Sequence, residues 1–168
     1  MRKAVLATGF IFAAWLGLAQ DPPVAPPPPP PQPIPYSHKL HAGTLKLQCA
    51  FCHENQDPGE MMGIPASAKC MGCHKGIKTD SPHIQKLAGY HAQNRPVPWL
   101  RVYQIPSYVF FSHREHTKAG NTCTECHGPV AERDVLAREV PINMGACMEC
   151  HQKKKAPNDC GFCHEQRN

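Results

Sequence analysis

All ten cysteines of this 168-residue chain fall into five pairs of one spacing, and histidine directly follows every pair. The strings are Cys49-Ala-Phe-Cys52-His53, Cys70-Met-Gly-Cys73-His74, Cys123-Thr-Glu-Cys126-His127, Cys147-Met-Glu-Cys150-His151 and Cys160-Gly-Phe-Cys163-His164. Cysteines at i and i+3 with histidine at i+4 share one face of a helical turn. From that face two thioether bonds can grip a porphyrin edge while the imidazole reaches the iron, so C-x-x-C-H is the attachment string of c-type haem. With this composition chance would produce about 0.04 such strings, and five with no cysteine left over specify five covalent haems c. Zinc sites join two pairs and do not require histidine after each second cysteine. A redox dithiol would occur once, and a disulfide framework would not fix every spacing at two residues.

The haems also answer a problem of composition. Leu, Ile, Val and Phe are sparse, and the Val/Ile-rich runs that buried strands of a doubly wound sheet or barrel need are missing. Five porphyrins supply the apolar interior that the residues after Tyr36 lack. The expected body is a few short α-helices at the motifs and long loops wrapped on haem, with little β. A further helix begins at Ser81-Pro82 and runs before Pro96, and a strand is expected from Trp99 to Phe111.

Residues 1–19 read as a signal peptide or an N-terminal membrane anchor, with Arg2 and Lys3 ahead of a sixteen-residue apolar run from Ala4 to Ala19. A spanning helix usually takes about 20 apolar residues, so cleavage after Ala19 is the expectation and an anchor the alternative. Either way the body is exported to the periplasm. Residues 20–35 form a proline-rich linker with six consecutive prolines, Pro26 to Pro31. As polyproline helix, at about 3.1 Å per residue, the stretch from Pro22 to Pro35 would reach roughly 43 Å.

Six histidines lie outside the motifs: His38, His41, His83, His91, His113 and His116. Four of them repeat. Tyr36-Ser-His38-x-x-His41 precedes the first two motifs and Phe111-Ser-His113-x-x-His116 precedes the last three, which divides the body into a two-haem module over 36–95 and a three-haem module over 96–168. Four histidines in duplicated register beside unfilled irons are read as second axial ligands. The fifth distal ligand has three candidates. Met144 stands three residues before Cys147, where the two-haem module has Ser67; His83 or His91 comes from the expected helix, whose apolar face is Ile84, Leu87, Ala88 and His91; or the position is open.

The run Pro98-Trp99-Leu-Arg101-Val-Tyr-Gln-Ile-Pro106-Ser-Tyr-Val-Phe-Phe111-Ser-His113-Arg-Glu-His116, with Ala119-Gly120, Cys123 to Val130 and Asn143 to His151, resembles the pentahaem cytochrome c subunit of alternative complex III. Each module is also similar to the small class III multihaem cytochromes c, in which the first histidine of H-x-x-H serves the nearest haem and the second the next. The resemblance implies His38 with His53, His41 with His74, His113 with His127, His116 with His151, and Met144 with His164. It implies a class III-like fold and quinol-oxidising membrane subunits as partners.

Function then follows from iron: one-electron transfer between redox protein partners, with no substrate bond made or broken and no catalytic residue. The rival is a multihaem reductase of a small oxyanion such as nitrite, which needs an iron with an empty coordination position. All five motifs end in histidine, and candidate distal ligands outnumber irons. The formal charge of +5 does not point to nucleic acid, since haem propionates offset it in an exported protein.

Overall fold

A computed structural model describes residues 27–54 and 62–165. The segment 1–19, residues 20–26 of the proline-rich linker and Met61 lie outside the described residues. Seven α-helices occur among them: α1 Cys49–Cys52, α2 Ser67–His74, α3 Pro82–Ala92, α4 His113–Lys118, α5 Cys123–His127, α6 Met144–Lys154 and α7 Cys160–His164. A π-helical turn, Lys39–Thr44, precedes α1, and a 3₁₀ turn, Val130–Glu132, follows α5. No strand occurs among the described residues, and no helix there is long and apolar enough to cross a membrane.

The helices start where side chains can take up the orphan amide groups of a first turn. Thr122, directly before Cys123, forms a capping box with Glu125. Asp159, directly before Cys160, accepts from the Phe162 amide at 3.0 Å, and Asn143 accepts from Ala146 at 2.9 Å at the start of α6. Pro82 opens α3 after Ser81, where its missing N–H costs nothing. The capped starts of α5 and α7 place both cysteines within a short helix whose last residue is the motif histidine, whereas α6 runs on three residues past His151.

Ile34, Leu87 and Val97 are the buried apolar side chains, and Cys70, Met71, Ile84, Tyr90 and Trp99 pack around them. This small core lies where α2 crosses α3. Larger apolar groups, among them Leu45, Leu47, Phe51, Ile64, Tyr108 and Met148, remain exposed in the polypeptide, several of them next to the cysteine pairs. A chain with so little protein interior needs a large apolar group to fold around.

Residues 32–35, linker by composition, are built into the body. The Gln32 amide donates to the Leu100 carbonyl at 2.7 Å and accepts from the Leu100 N–H at 3.0 Å, Lys86 donates to the Pro33 carbonyl at 2.8 Å, and Ile34 enters the core. Val97 meets Leu87 in that core, so the segment after Pro96 also packs on the helix before it.

The strand expected from Trp99 to Phe111 is not formed. Its aromatic and β-branched residues suit a pleated surface, but Pro106 removes a donor and the neighbours offer no ladder. Its long-range backbone partners are the Gln32 side chain, the His164 ring on the Tyr108 carbonyl, and the Cys163 carbonyl, which accepts from Phe110 at 2.9 Å. The segment is an extended strap between α3 and α4.

The π-helical turn packs on the 3₁₀ turn. Lys39 N–H donates to Arg133 at 2.9 Å, and the Ser37 hydroxyl donates to Asp134 at 2.6 Å. Gly43 is required at the closest point, because a β-carbon there would stand 2.2 Å from the Ala131 carbonyl oxygen. Gly128, buried and at φ +70°, ends α5 in a conformation that side chains rarely adopt and turns the chain beneath Glu139.

Candidate metal centres

The duplicated Tyr/Phe-Ser-His-x-x-His segment folds the same way twice. Ser37 Oγ accepts from the Leu40 amide at 2.9 Å and Ser112 Oγ accepts from Glu115 at 3.3 Å, so each serine holds the start of the turn that carries both histidines. In each copy the second histidine donates its Nδ1 proton back to the serine carbonyl, His41 to Ser37 at 2.9 Å and His116 to Ser112 at 2.7 Å. The aromatic residue before the serine meets both rings. Tyr36 lies edge-on to His38 and stacked on His41, with centroids 4.8 and 4.5 Å away. Phe111 repeats this on His113 at 4.7 Å and His116 at 4.4 Å.

Each of these four histidines faces a motif histidine. The ring centroids are 6.4 Å apart for His38 and His53, 6.2 Å for His41 and His74, 6.3 Å for His113 and His127, and 5.9 Å for His116 and His151. An imidazole nitrogen binds a transition metal at about 2.0–2.1 Å, so rings ligating one ion from opposite sides have centres about 6.3 Å apart. Directly hydrogen-bonded rings would be closer, at about 5.2 Å. The gaps fit an iron between two imidazoles, and the free cysteines beside each motif histidine fit thioether attachment. Among the described residues no three His, Cys, Asp or Glu side chains converge on one point.

The ring protons are arranged for ligation. His53 donates from Nδ1 to Gly63 at 3.0 Å, His74 to Ile77 at 3.1 Å, His151 to Pro157 at 2.5 Å and His164 to Tyr108 at 3.1 Å. With Nδ1 as donor, Nε2 keeps its lone pair for a metal. His38 is kept neutral another way: burial, with His53 and then His41 beside it, lowers its pKa to about 4. Burial first, then His113 and His53, likewise lowers that of His127. His38 Nδ1 is buried without a hydrogen-bond partner, so packing alone orients that ring.

The cysteines show how the five C-x-x-C-H motifs adjoin. Burial pushes the thiol of Cys70 up, and Cys52 adds to it; Cys123 is raised by burial and then by the neighbouring Cys49. Cys126 is raised by burial and then by Cys150, and Cys147 by burial and then by Cys163. Ion pairs and rings follow the same neighbours. Lys154 of α6 binds Glu125 at 2.9 Å and also Asn121, and Phe162 of α7 meets His151 edge-on at 6.3 Å. The C-x-x-C-H motifs therefore adjoin in the order second, first, third, fourth, fifth, and the two sequence repeats meet at the first and third.

The surroundings of the fifth motif histidine are less enclosed. His164 is exposed, and Met144, the first residue of α6, is 69% exposed. Among the described residues no ring contact joins His164 to His83 or His91. His91 is engaged elsewhere, its Nδ1 3.4 Å from the hydroxyl of Ser67 at the start of α2, and His83 is exposed on α3. Sequence reasoning did not anticipate the carbonyls that orient the motif histidines, since Gly63, Ile77, Pro157 and Tyr108 follow no common spacing. Lys153 and Lys154, in the run of three lysines after the fourth motif, are tied to Glu149 and Glu125.

A curated relative, the multihaem cytochrome c subunit of menaquinone reductase from Nitratidesulfovibrio vulgaris (strain Hildenborough), is 30% identical, with 80% of this chain and 77% of the relative covered. The chain is a multihaem cytochrome c. Within it, residues 109–166 match the family of cytochrome c7 and related cytochromes c, a span that holds the second H-x-x-H pair and the last three motifs. The cytochrome is an electron-transfer protein with covalently bound haem c, built from short helices without strands among the described residues.

Proposed function

We propose that this cytochrome binds five haems c and carries electrons on the periplasmic side as a subunit of a quinone-linked respiratory complex, similar in role to the pentahaem subunit of alternative complex III. When bound, each haem supplies one-electron cycling of its iron between the ferric and ferrous states. The polypeptide attaches the groups through ten cysteines, supplies the axial ligands and sets the order of the sites. Proximal ligands are His53, His74, His127, His151 and His164; distal ligands are His38, His41, His113, His116 and, for the fifth, Met144.

The four facing histidine pairs carry this reading. Their separations match two imidazoles on one iron, and the pairs follow the order that the family resemblance implies. Met144 is favoured by its place one turn before Cys147, next to which Cys163 of the fifth motif lies. The name of the relative, a menaquinone reductase subunit, supports a membrane partner that handles quinone. The two-haem module of 36–95 and the three-haem module of 96–168 then each bring one H-x-x-H unit, and the terminal sites, second and fifth, are where redox partners dock.

Intact mass and haem absorbance of the purified protein test the stoichiometry: five haems per chain are expected, and four or fewer in fully processed protein would overturn it. Native gels of membrane and soluble fractions, stained for covalent haem, test the partnership. A high-mass band in the membrane fraction is expected. A single soluble band at the mass of the chain with its haems would make it a free periplasmic carrier.

A further inference from the structure

Two kinds of histidine pair alternate along the chain. The ring planes of His38 and His53 are 7° apart and those of His113 and His127 are 5° apart, whereas His41 and His74 are tilted by 58° and His116 and His151 by 52°. The first pair of each module is coplanar and the second is crossed. The repeat of both values in two segments of different sequence argues for a common local cause.

That cause lies in the aromatic residue two positions before the first distal histidine. We propose that Tyr36 and Phe111 are positioning residues that set the planes of the distal imidazoles, so that the cytochrome holds coplanar ligands at the first and third sites and crossed ligands at the second and fourth. The inference rests on the proposed axial pairing.

Tyr36 is stacked on His41 at 18° and Phe111 on His116 at 29°, which fixes the tilt of each second imidazole. The Nδ1 bond to the carbonyl of Ser37 or Ser112 fixes its rotation about the remaining axis. The same aromatic rings stand at 83° and 89° to His38 and His113, so one side chain presses two imidazoles into roughly perpendicular planes. An imidazole bound through one nitrogen turns easily about the metal–nitrogen bond, and its surroundings decide where it stops. The proximal partners differ in their carbonyl acceptors, Gly63 for His53 and Ile77 for His74, so the common element is the aromatic wedge.

Ligand planes matter because each imidazole donates π density to one iron d orbital. Parallel planes act on the same orbital and split the pair; crossed planes act on both and keep them nearly equal in energy. In the oxidised low-spin state the first arrangement gives an ordinary rhombic electron paramagnetic resonance spectrum and the second a large-g-max spectrum.

The full holoprotein, oxidised and frozen, is measured. Two rhombic and two large-g-max centres are expected in equal amounts beside the fifth haem. Four low-spin centres of one type would overturn the inference while leaving the axial pairing standing; high-spin signals from the first four haems would overturn the pairing itself. In Tyr36→Leu, with five haems per chain confirmed by mass, half of the large-g-max intensity should shift, and Tyr36→Phe should restore it. Phe111→Leu should shift the other half. Unchanged spectra in both leucine variants would show that the aromatic rings do not set the planes. If a leucine variant fails to mature, the wild-type spectrum still decides between two classes and one, and Tyr36→Phe should leave both classes in place.

Discussion

Replacing Gly43 by alanine strikes the joint between the two repeats. The added β-carbon would lie 2.2 Å from the carbonyl oxygen of Ala131, and essentially no real β-carbon comes within 3.0 Å of such an atom, so the turns must separate by at least about 0.8 Å. The oxygen is backbone and cannot rotate aside. Its segment is pinned by the Lys39–Arg133 amide bond, by Ser37 on Asp134 and by the Arg133–Glu139 pair. Forced overpacking of this kind costs about 1–3 kcal/mol. For a chain of this size each kcal/mol moves the unfolding midpoint by about 2–4 °C, so Gly43→Ala should lower Tm by roughly 2–12 °C. Gly89→Ala in α3 is the control, because its β-carbon meets no atom within 4 Å. It should stabilise by about 0.5–1 kcal/mol through the helix preference of alanine over glycine. Thermal unfolding of the holoprotein, followed together by Soret absorbance and far-ultraviolet circular dichroism, reads both. A Gly43→Ala protein that melts at or above the wild-type midpoint would refute the close approach of the two turns.

Three further outcomes follow from the site. His38→Ala should leave one iron five-coordinate, so that the reduced protein binds one equivalent of carbon monoxide more than the wild type; no added binding would remove His38 from the ligand set. Met144→Ala should abolish a near-infrared methionine-to-iron band if Met144 is the fifth ligand, and an unchanged spectrum would return the assignment to another residue. Arg133 holds the Glu139 carboxyl below its ordinary value through their paired hydrogen bonds. A depressed carboxylate stabilises the fold above its unfolded-state pKa, and that contribution is lost as pH falls through the folded-state value. Glu139→Gln should therefore flatten the acid limb of the stability profile near and below the ordinary glutamate range, measured by denaturant unfolding at several pH values, and an unaltered limb would refute the coupling.

The cysteine and histidine positions made the family legible because covalent attachment fixes spacing absolutely. The helices that carry the motifs were legible for the same reason, and α3 announced itself through Ser81-Pro82 and its apolar face. What the sequence did not disclose depends on contacts between distant segments. Gln32 reads as another linker residue, yet its amide completes both hydrogen bonds of Leu100. The strap from Trp99 to Phe111 has the residues of a strand and lacks a neighbour with which to pair. The order of the motifs depends on which cysteines neighbour one another across the repeats, Cys49 with Cys123 above all, and no local pattern encodes that.

The π-helical turn shows how such a protein tolerates editing. From His38 the chain takes eleven residues to Cys49, while from His113 it takes ten to Cys123. A π turn is an α turn with one residue inserted, here closed by the Leu45 amide on the Leu40 carbonyl, and α4 in the second copy has no such widening. The additional residue is absorbed within a single loop of backbone, and both copies keep their imidazole gaps near 6.4 Å at the first ligand pair. Selection on a chain like this would act on where the nitrogen atoms end up. The number of residues between them is free to drift by one wherever a turn can widen to hide the difference.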